Sequence, residues 1–546
     1  MADSPRTFLL LVRTGASALQ RWELDAIEQV RALAGASVVV APSSGSAPDV
    51  PRGSFASKQF IAFIASAKGS HCLHHAKGID AAQDASATTH ADAVLCLGKA
   101  VHSGPPPTHG VWRFVTEEGG AVHDNPPGAA AAILGRAVVQ FHLVNEANAH
   151  LLRTGCFAVR KAEPMGTVDA VLRHAACWPS AVVRMIMATG HASSEGTAPP
   201  PQQRPMPGNM AMLVYRFSRM IMGTPVHDPS ASAFDDWNIG VLHQPAHVLL
   251  QENTSTNVRW FPAPGKGKGR LEPFGYHADD ELNVLYRKAD IASTSGIIAR
   301  LRPKPDNILK RSRTMLDIGT NHSYPYIVHV GTAAYLLRGG TDPGRTWIHR
   351  INATNDGLEE GKELLPAVLH APTLFEHDGH WWLMGTCDPL PEAELHIYFS
   401  TSAFGPFVPH ALNPVRCDVR NAKPAGTPFV HNGVLWRPTL DTSDPGRCAV
   451  VINKVIELSP QRFAEVAHRR VDGFPSTSYG NGVRTICAMG DITLVDGLRS
   501  PVLEGSKANG SRGKSKSKSK SKSRSRDPST PLRASKRTRE DEQDDE

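Results

Sequence analysis

The chain has 546 residues, 41% of them hydrophobic and 20% charged, which excludes a wholly disordered protein; a length well beyond one ordinary core predicts roughly two to four domains. Its formal net charge of +7 sits at the C-terminus, where residues 505–546 hold thirteen Lys or Arg against seven Asp or Glu, so the rest is electrically near balance. Eight scattered cysteines without a C-x-x-C pair point to reduced thiols and a cytoplasmic location, and no apolar run reaches the roughly 18 residues of a membrane span.

In chain order, TFLLLVR (7–13) reads as a strand, RWELDAIEQVRALA (21–34) places Trp22, Leu24, Ile27 and Val30 at helical spacing, and SVVVA (37–41) is again β-branched. Strand, helix, strand opens a parallel α/β sheet, and AVLCL (93–97) adds another buried strand. A Pro-, Ser- and Gln-rich stretch, SSEGTAPPPQQRPMPGN (193–209), followed by the helical MLVYRFSRMIMG, marks a boundary. The expected organisation is an α/β domain over 1–192, a linker and connecting helix over 193–230, an all-β domain over 231–503 and a disordered tail over 504–546.

The all-β expectation rests on short runs such as LNVLYRK, PYIVHV, AAYLLRG, TLFEH, WWLMG, LHIYFS and VLWRP. Asp378-Gly379 and Asn432-Gly433 supply the positive φ angles of tight hairpins, so these runs form an antiparallel meander, as in a β-sandwich or a β-propeller. Trp381 and Trp382 are adjacent on one strand and must face opposite sides of it.

The order HAPTLFEHDGHWWLMGT, LHIYFS, FGPFVPH, NPV and RPTLD resembles the N-terminal region of plant glucosamine inositolphosphorylceramide transferases and a related group of bacterial proteins. DDWNIGVL, WFPAPGKGKGRLEPFG, NHSYPYIV, VINKVIELSPQRFAE and GVRTICAMGDITLVDG fall in the same order, so the resemblance spans roughly half the chain. It implies a five-bladed propeller related to family 43 glycoside hydrolases. The segments GVWRF, LLRTGCFAVR and HAACWPSAVVRMI resemble the formyltransferase-like domain that precedes the propeller in the bacterial relatives. The plant relatives' membrane anchor and glycosyltransferase domain are not legible in these residues, so their chemistry is not expected to carry over as it stands.

Glycoside hydrolysis needs two carboxylates at a defined separation. Where the family has Asp-Pro-Phe, this chain has Glu272-Pro273-Phe274, the one catalytic candidate; a second carboxylate position is Ala371, and a third motif reads Leu337-Arg338-Gly339-Gly340. The resemblance therefore implies a site that has lost double-carboxylate hydrolysis. His322, Tyr324, Lys423, Arg437 and Asp441 are the ligand-binding candidates: hydrogen-bonding groups for a polyol, with Lys and Arg suited to a phosphate. Arg484 stands where the family has a His.

The Asn-His pair of true formyltransferases is missing after AVLCL, where KAVHSGPPPTHGVWRF stands, so the domain is expected to keep the fold without formyl transfer. His71-Cys72-Leu73-His74-His75 lacks partners at metal-ligand spacing, and GKGKG (265–269) precedes a strand rather than a helix; neither a metal nor another cofactor is expected. The Lys-Ser repeat and KRTR (536–539) point to nucleic-acid contact and a nuclear address. The expected function is carbohydrate-related, binding or processing a glycan or inositol-phosphate glycolipid headgroup at the propeller axis. The alternatives are an active glycosyl- or formyl-transferring enzyme and an interaction scaffold whose tail contacts nucleic acid.

Overall fold

The computed structural model describes residues 7–499 apart from 16–18, 44, 46–69, 75–89, 118–121, 124, 161–162, 193–194, 196–206, 223–236, 253–254, 266, 279, 291–292, 304–312, 317–322, 339–343, 355–356 and 445–447. The tail, most of the Pro-rich linker and His322 therefore lie outside the described residues.

The N-terminal part is α/β. Strands β1 (Phe8–Thr14), β2 (Ala36–Pro42), β3 (Ala93–Leu97) and β4 (Val111–Thr116) pair in parallel in the order β2-β1-β3-β4. Helix α1 (Arg21–Arg31) buries Trp22, Ala26, Ile27 and Val30, and the Glu23 carboxylate accepts from the Gln20 backbone N–H at 2.9 Å to close its first turn. After α2 (Ala129–Ile133), the antiparallel β5 (Val138–Asn145) and β6 (His150–Ala158) extend the sheet. Helices α3 (Pro164–Ala175), α4 (Trp178–Thr189) and α5 (Asn209–Met222) follow, with Trp178 packed beside the stacked Phe114 and Phe141 rings. The strands and helices expected from the sequence are present, but nothing in this arrangement is specific to a formyltransferase.

The remainder is antiparallel. The strands are β7 (Trp237–Leu242), β8 (Val258–Trp260), β9 (Lys268–Ala278), β10 (Glu281–Asp290), β11 (Ser293–Leu301), β12 (Arg313–Leu316), β13 (Tyr326–Val330), β14 (Ala333–Arg338), β15 (Thr346–Arg350) and β16 (Lys362–Leu365). They continue as β17 (His370–His377), β18 (His380–Thr386), β19 (Glu394–Ser400), β20 (Val408–Pro409), β21 (Arg416–Asp418), β22 (Phe429–His431), β23 (Val434–Asp441), β24 (Ala449–Leu458), β25 (Phe463–Val471), β26 (Ile486–Met489) and β27 (Ile492–Leu498). Four four-stranded sheets result: β9 to β12, β13 to β16, β22 to β25, and β26-β27-β7-β8. The last joins the beginning of the meander to its end, which closes the arrangement into a propeller-like ring.

The sequence led to five separate blades, and the structure corrects this to four separate sheets. Strands β17 to β20 follow the same antiparallel course, yet they are not an independent sheet. Strand β19 also pairs β21, and β21 pairs β6 in parallel, Cys417 opposite Gly155 and Asp418 opposite Cys156, so an 11-stranded sheet runs from the ring into the α/β part. The physical reason is the outer edge: open strand edges invite pairing, and here β6 supplies it. Trp382 is 1% exposed in one apolar cluster while Trp381 packs against another, as the alternation of side chains along β18 requires.

A buried carboxylate between two histidines reinforces this seam. His174 of α3 is 3.0 Å from Glu394 of β19, whose other oxygen lies 3.0 Å from His396. Burial alone would raise the Glu394 carboxyl, but hydrogen bonds and charge from the two histidines bring it down to about 2. A carboxyl held below its ordinary 4.5 contributes stability that is fully present above that value and is lost as pH falls through the folded one. Glu394 should account for about 3 kcal/mol of acid-labile stability, so urea unfolding of Glu394→Gln should show a flatter loss than wild type between about pH 4.5 and 2.

Candidate functional site

The inner ends of three successive strand groups repeat one local device. Glu272, Tyr324 and Ala371 each have positive φ (55°, 55° and 50°), and each is followed by proline. Non-glycine residues in this region carry strain, and a proline cannot donate to a ladder, so the register slips at both Glu272-Pro273 in β9 and Ala371-Pro372 in β17. A bulge breaks the in-out alternation of a strand. It is how the Glu272 side chain is turned away from the regular sheet face.

Glu272 is 7% exposed, and its carboxylate accepts the Tyr324 backbone N–H at 2.6 Å. Its own N–H donates at 2.9 Å to Asp496, on β27, which also accepts the N–H groups of Arg484 and Thr485 at 2.8 and 2.9 Å. Asp496 is fully buried; desolvation pushes it up to about 6 against the pull of three N–H donors and the Arg484 charge. The Tyr324 hydroxyl accepts from the Gly426 N–H at 2.8 Å and lies 3.1 Å from the Thr373 hydroxyl and 3.2 Å from the Gly426 carbonyl. Burial keeps this phenol protonated, its pKa well above the ordinary range. Gly426 has φ 145°, and a Cβ there would come within 1.8 Å of the Ile486 carbonyl, so only glycine permits this approach of backbone to backbone.

Charge gathers around the same network. Arg484 lies over the Trp237 ring at 5.8 Å and its Nη1 is 3.3 Å from the Cys448 sulfur, while its buried Nε has no hydrogen-bond partner among the described residues. Burial would lower its pKa, yet Cys448, Glu272, Asp496 and Glu392 act together to raise it. Glu392, in the connection from β18 to β19, is 2.6 Å from Lys423. Glu272, Glu392, Lys423 and Arg484 are thus linked electrostatically, with Asp496 and Tyr324 beneath them as fixed scaffold.

Of the residues singled out from the sequence, Glu272, Tyr324 and Lys423 join this network. Arg437 does not serve as the free guanidinium expected: it is 2% exposed, forked onto Glu465 at 2.8 and 2.5 Å, and donates to the carbonyls of Ala422 and Asn421 at 3.1 and 2.9 Å. Asp441 accepts from the Ser443 N–H at 2.8 Å and is paired with Arg470. Sequence reasoning overlooked Glu392 and Asp496. A carboxylate inside the apolar run ITLVDGL was the available signal for Asp496, because a buried charge must be held by something; Glu392 offered none.

An antiparallel ring of this kind, closed by the sheet that joins its first strands to its last, defines the class as a β-propeller-like protein. Residues 269–477 match the family model described as Glucosamine inositolphosphorylceramide transferase 1, N-terminal. The curated protein of that name from Oryza sativa subsp. japonica is 28% identical over 204 residues, 36% of this chain and 27% of the relative; that from Arabidopsis thaliana is 24% identical over 208 residues, 36% and 26%. The chain thus spans about a quarter of these relatives' length. Among solved structures, the RS223 β-xylosidase overlaps at TM-score 0.34 and 9% identity, covering 44% of this chain and 87% of that one. The exo-β-1,3-galactanase of Phanerochaete chrysosporium does so at TM-score 0.32 and 13% identity, covering 39% and 53%. The family match begins after the α/β part, which it leaves without a formyltransferase assignment.

The contrast between two ion pairs can be measured. Arg437→Ala leaves the buried Glu465 with only Arg416, 3.2 Å away, and should lower stability to urea by about 3 kcal/mol. Lys423→Ala removes a partly exposed pair and should cost less than about 1 kcal/mol.

Proposed function

We propose that the axial end of the ring binds a carbohydrate-related headgroup rich in hydroxyls, as a sugar or an inositol phosphate would present. The observation that carries this reading is the linked set Glu272, Glu392, Lys423 and Arg484, with the Nε–H of Arg484 left without an acceptor among the described residues. Carboxylates accept from vicinal hydroxyls, while Arg484 and Lys423 donate to ring, hydroxyl or phosphate oxygens. The relatives' name speaks of glucosamine and inositolphosphorylceramide, and such a headgroup has this chemistry.

The same geometry supports binding more than hydrolysis. Asp496 spends its oxygens on three backbone N–H groups, Glu272 already accepts one, and Ala371 has no carboxylate to offer, so a pair of unengaged acids flanking a glycosidic bond is not supported. Contact of the Lys/Ser tail with nucleic acid, and a nuclear location, are proposals drawn from composition alone.

Thermal-shift titration of the full chain with glucosamine, myo-inositol and myo-inositol 1-phosphate tests the reading. At least one should raise Tm in proportion to ln(1 + [L]/Kd), and Glu272→Gln or Glu392→Gln should abolish that rise. If none of the three moves Tm at about 10 mM, the axial-site reading fails.

A further inference from the structure

A cavity of about 600 Å³ lies in the seam between the α/β part and the ring, and neither Glu272, Tyr324, Glu392 nor Arg484 lines it. Residues of the β6 and β21 pair line one side; α4, the loop over 411–415, the β24–β25 hairpin and single residues such as His174 and Glu195 supply the rest. The volume is in the range of small-molecule sites.

Five arginines line it: Arg153, Arg184, Arg416, Arg420 and Arg462. Three have carboxylate partners. Arg420 is forked onto Asp418 at 2.9 and 2.7 Å, Arg416 lies 3.2 Å from Glu465 and donates to Asn421, and Arg462 lies 3.2 Å from Glu457. Among the described residues, Arg153 and Arg184 have one carboxylate between them. Arg153, 7% exposed, reaches Glu195 through Nη1 at 3.3 Å, and its buried Nη2 has no hydrogen-bond partner among the described residues. Arg184 makes a 3.4 Å contact with the Asn413 carbonyl, and burial together with the Arg153 charge lowers its pKa.

Two cations facing one cavity, one of them with a buried N–H lacking an acceptor, cost free energy that an anion would recover. The cysteines on the same walls cannot supply it. Burial raises Cys156 and Cys177 to about 12 and Cys417 well above the usual thiol range, so all three stay protonated and neutral.

We propose that the seam cavity is a second binding site, taking a small phosphate-bearing molecule whose phosphate is held by Arg153 and Arg184. A phosphate has enough oxygens to engage both guanidiniums, and the volume leaves room for an organic remainder. Because the walls belong to both parts of the molecule, the ligand would also tighten the β6–β21 junction.

The test is calorimetric titration of the full chain with inorganic phosphate and with glucose 6-phosphate, against chloride at matched ionic strength. Wild type should bind glucose 6-phosphate, and Arg184→Gln should weaken it by at least about tenfold, the loss of one charged hydrogen-bonding partner. Removing Arg184 relieves its repulsion with Arg153, so the ligand-free Tm of this variant should hold or rise, which separates a lost contact from a lost fold. Arg153→Gln, at the buried member, should weaken binding as well. The proposal is overturned if neither phosphate gives heat with wild type, if Arg184→Gln binds as tightly as wild type, or if Arg484→Gln abolishes binding and so places the phosphate at the axis.

Discussion

The carboxylate of Asp496 accepts backbone N–H groups from Glu272 in one strand group and from Arg484 and Thr485 in another, and the geometry of the axial network depends on that junction. Without it the bulge at Glu272 would present an unsatisfied buried donor, and the Tyr324 N–H would have no carboxylate fixed in place to meet. A buried acid with three donors ties β9 to the β26–β27 hairpin, with which it shares no ladder. It is a different use of a carboxylate from proton transfer, and it supports the positive-φ backbone of Glu272.

Burial alone does not separate a structural arginine from a ligand-seeking one; the partner inventory does. Arg437 is almost completely buried, yet its guanidinium meets Glu465 and two carbonyls, so nothing is left over. Arg484 and Arg153, by contrast, each retain a buried nitrogen without an acceptor among the described residues.

Much of this was legible in the sequence. Period-two runs separated by Asp-Gly and Asn-Gly fixed the hairpins at β17–β18 and β22–β23, and β-branched runs around an amphipathic helix marked β1, α1 and β2. The Glu272-Pro273-Phe274 motif pointed to one member of the axial network. What escaped reading depends on residues distant in sequence. Arg-Cys-Asp at 416–418 carries no periodic signal, so its bridge to β6 and the merging of sheets could not be foreseen. The engagement of Arg437 is decided by Glu465, a residue in another strand of its sheet. Glu392 sits in a loop whose composition gives no hint of its neighbours.

The pairing of β6 with β21 has a consequence for the order in which the protein can be made. Roughly 260 residues separate the two strands, and at the usual pace of synthesis a ribosome needs on the order of 10 to 50 s to cover them. Throughout that interval the α/β sheet has its β6 edge open, and β7, the first strand of the ring, waits about as long for β27. Nascent chains on neighbouring ribosomes thus present one another with matching unpaired edges, and the cell must keep them apart until each finds its own partner.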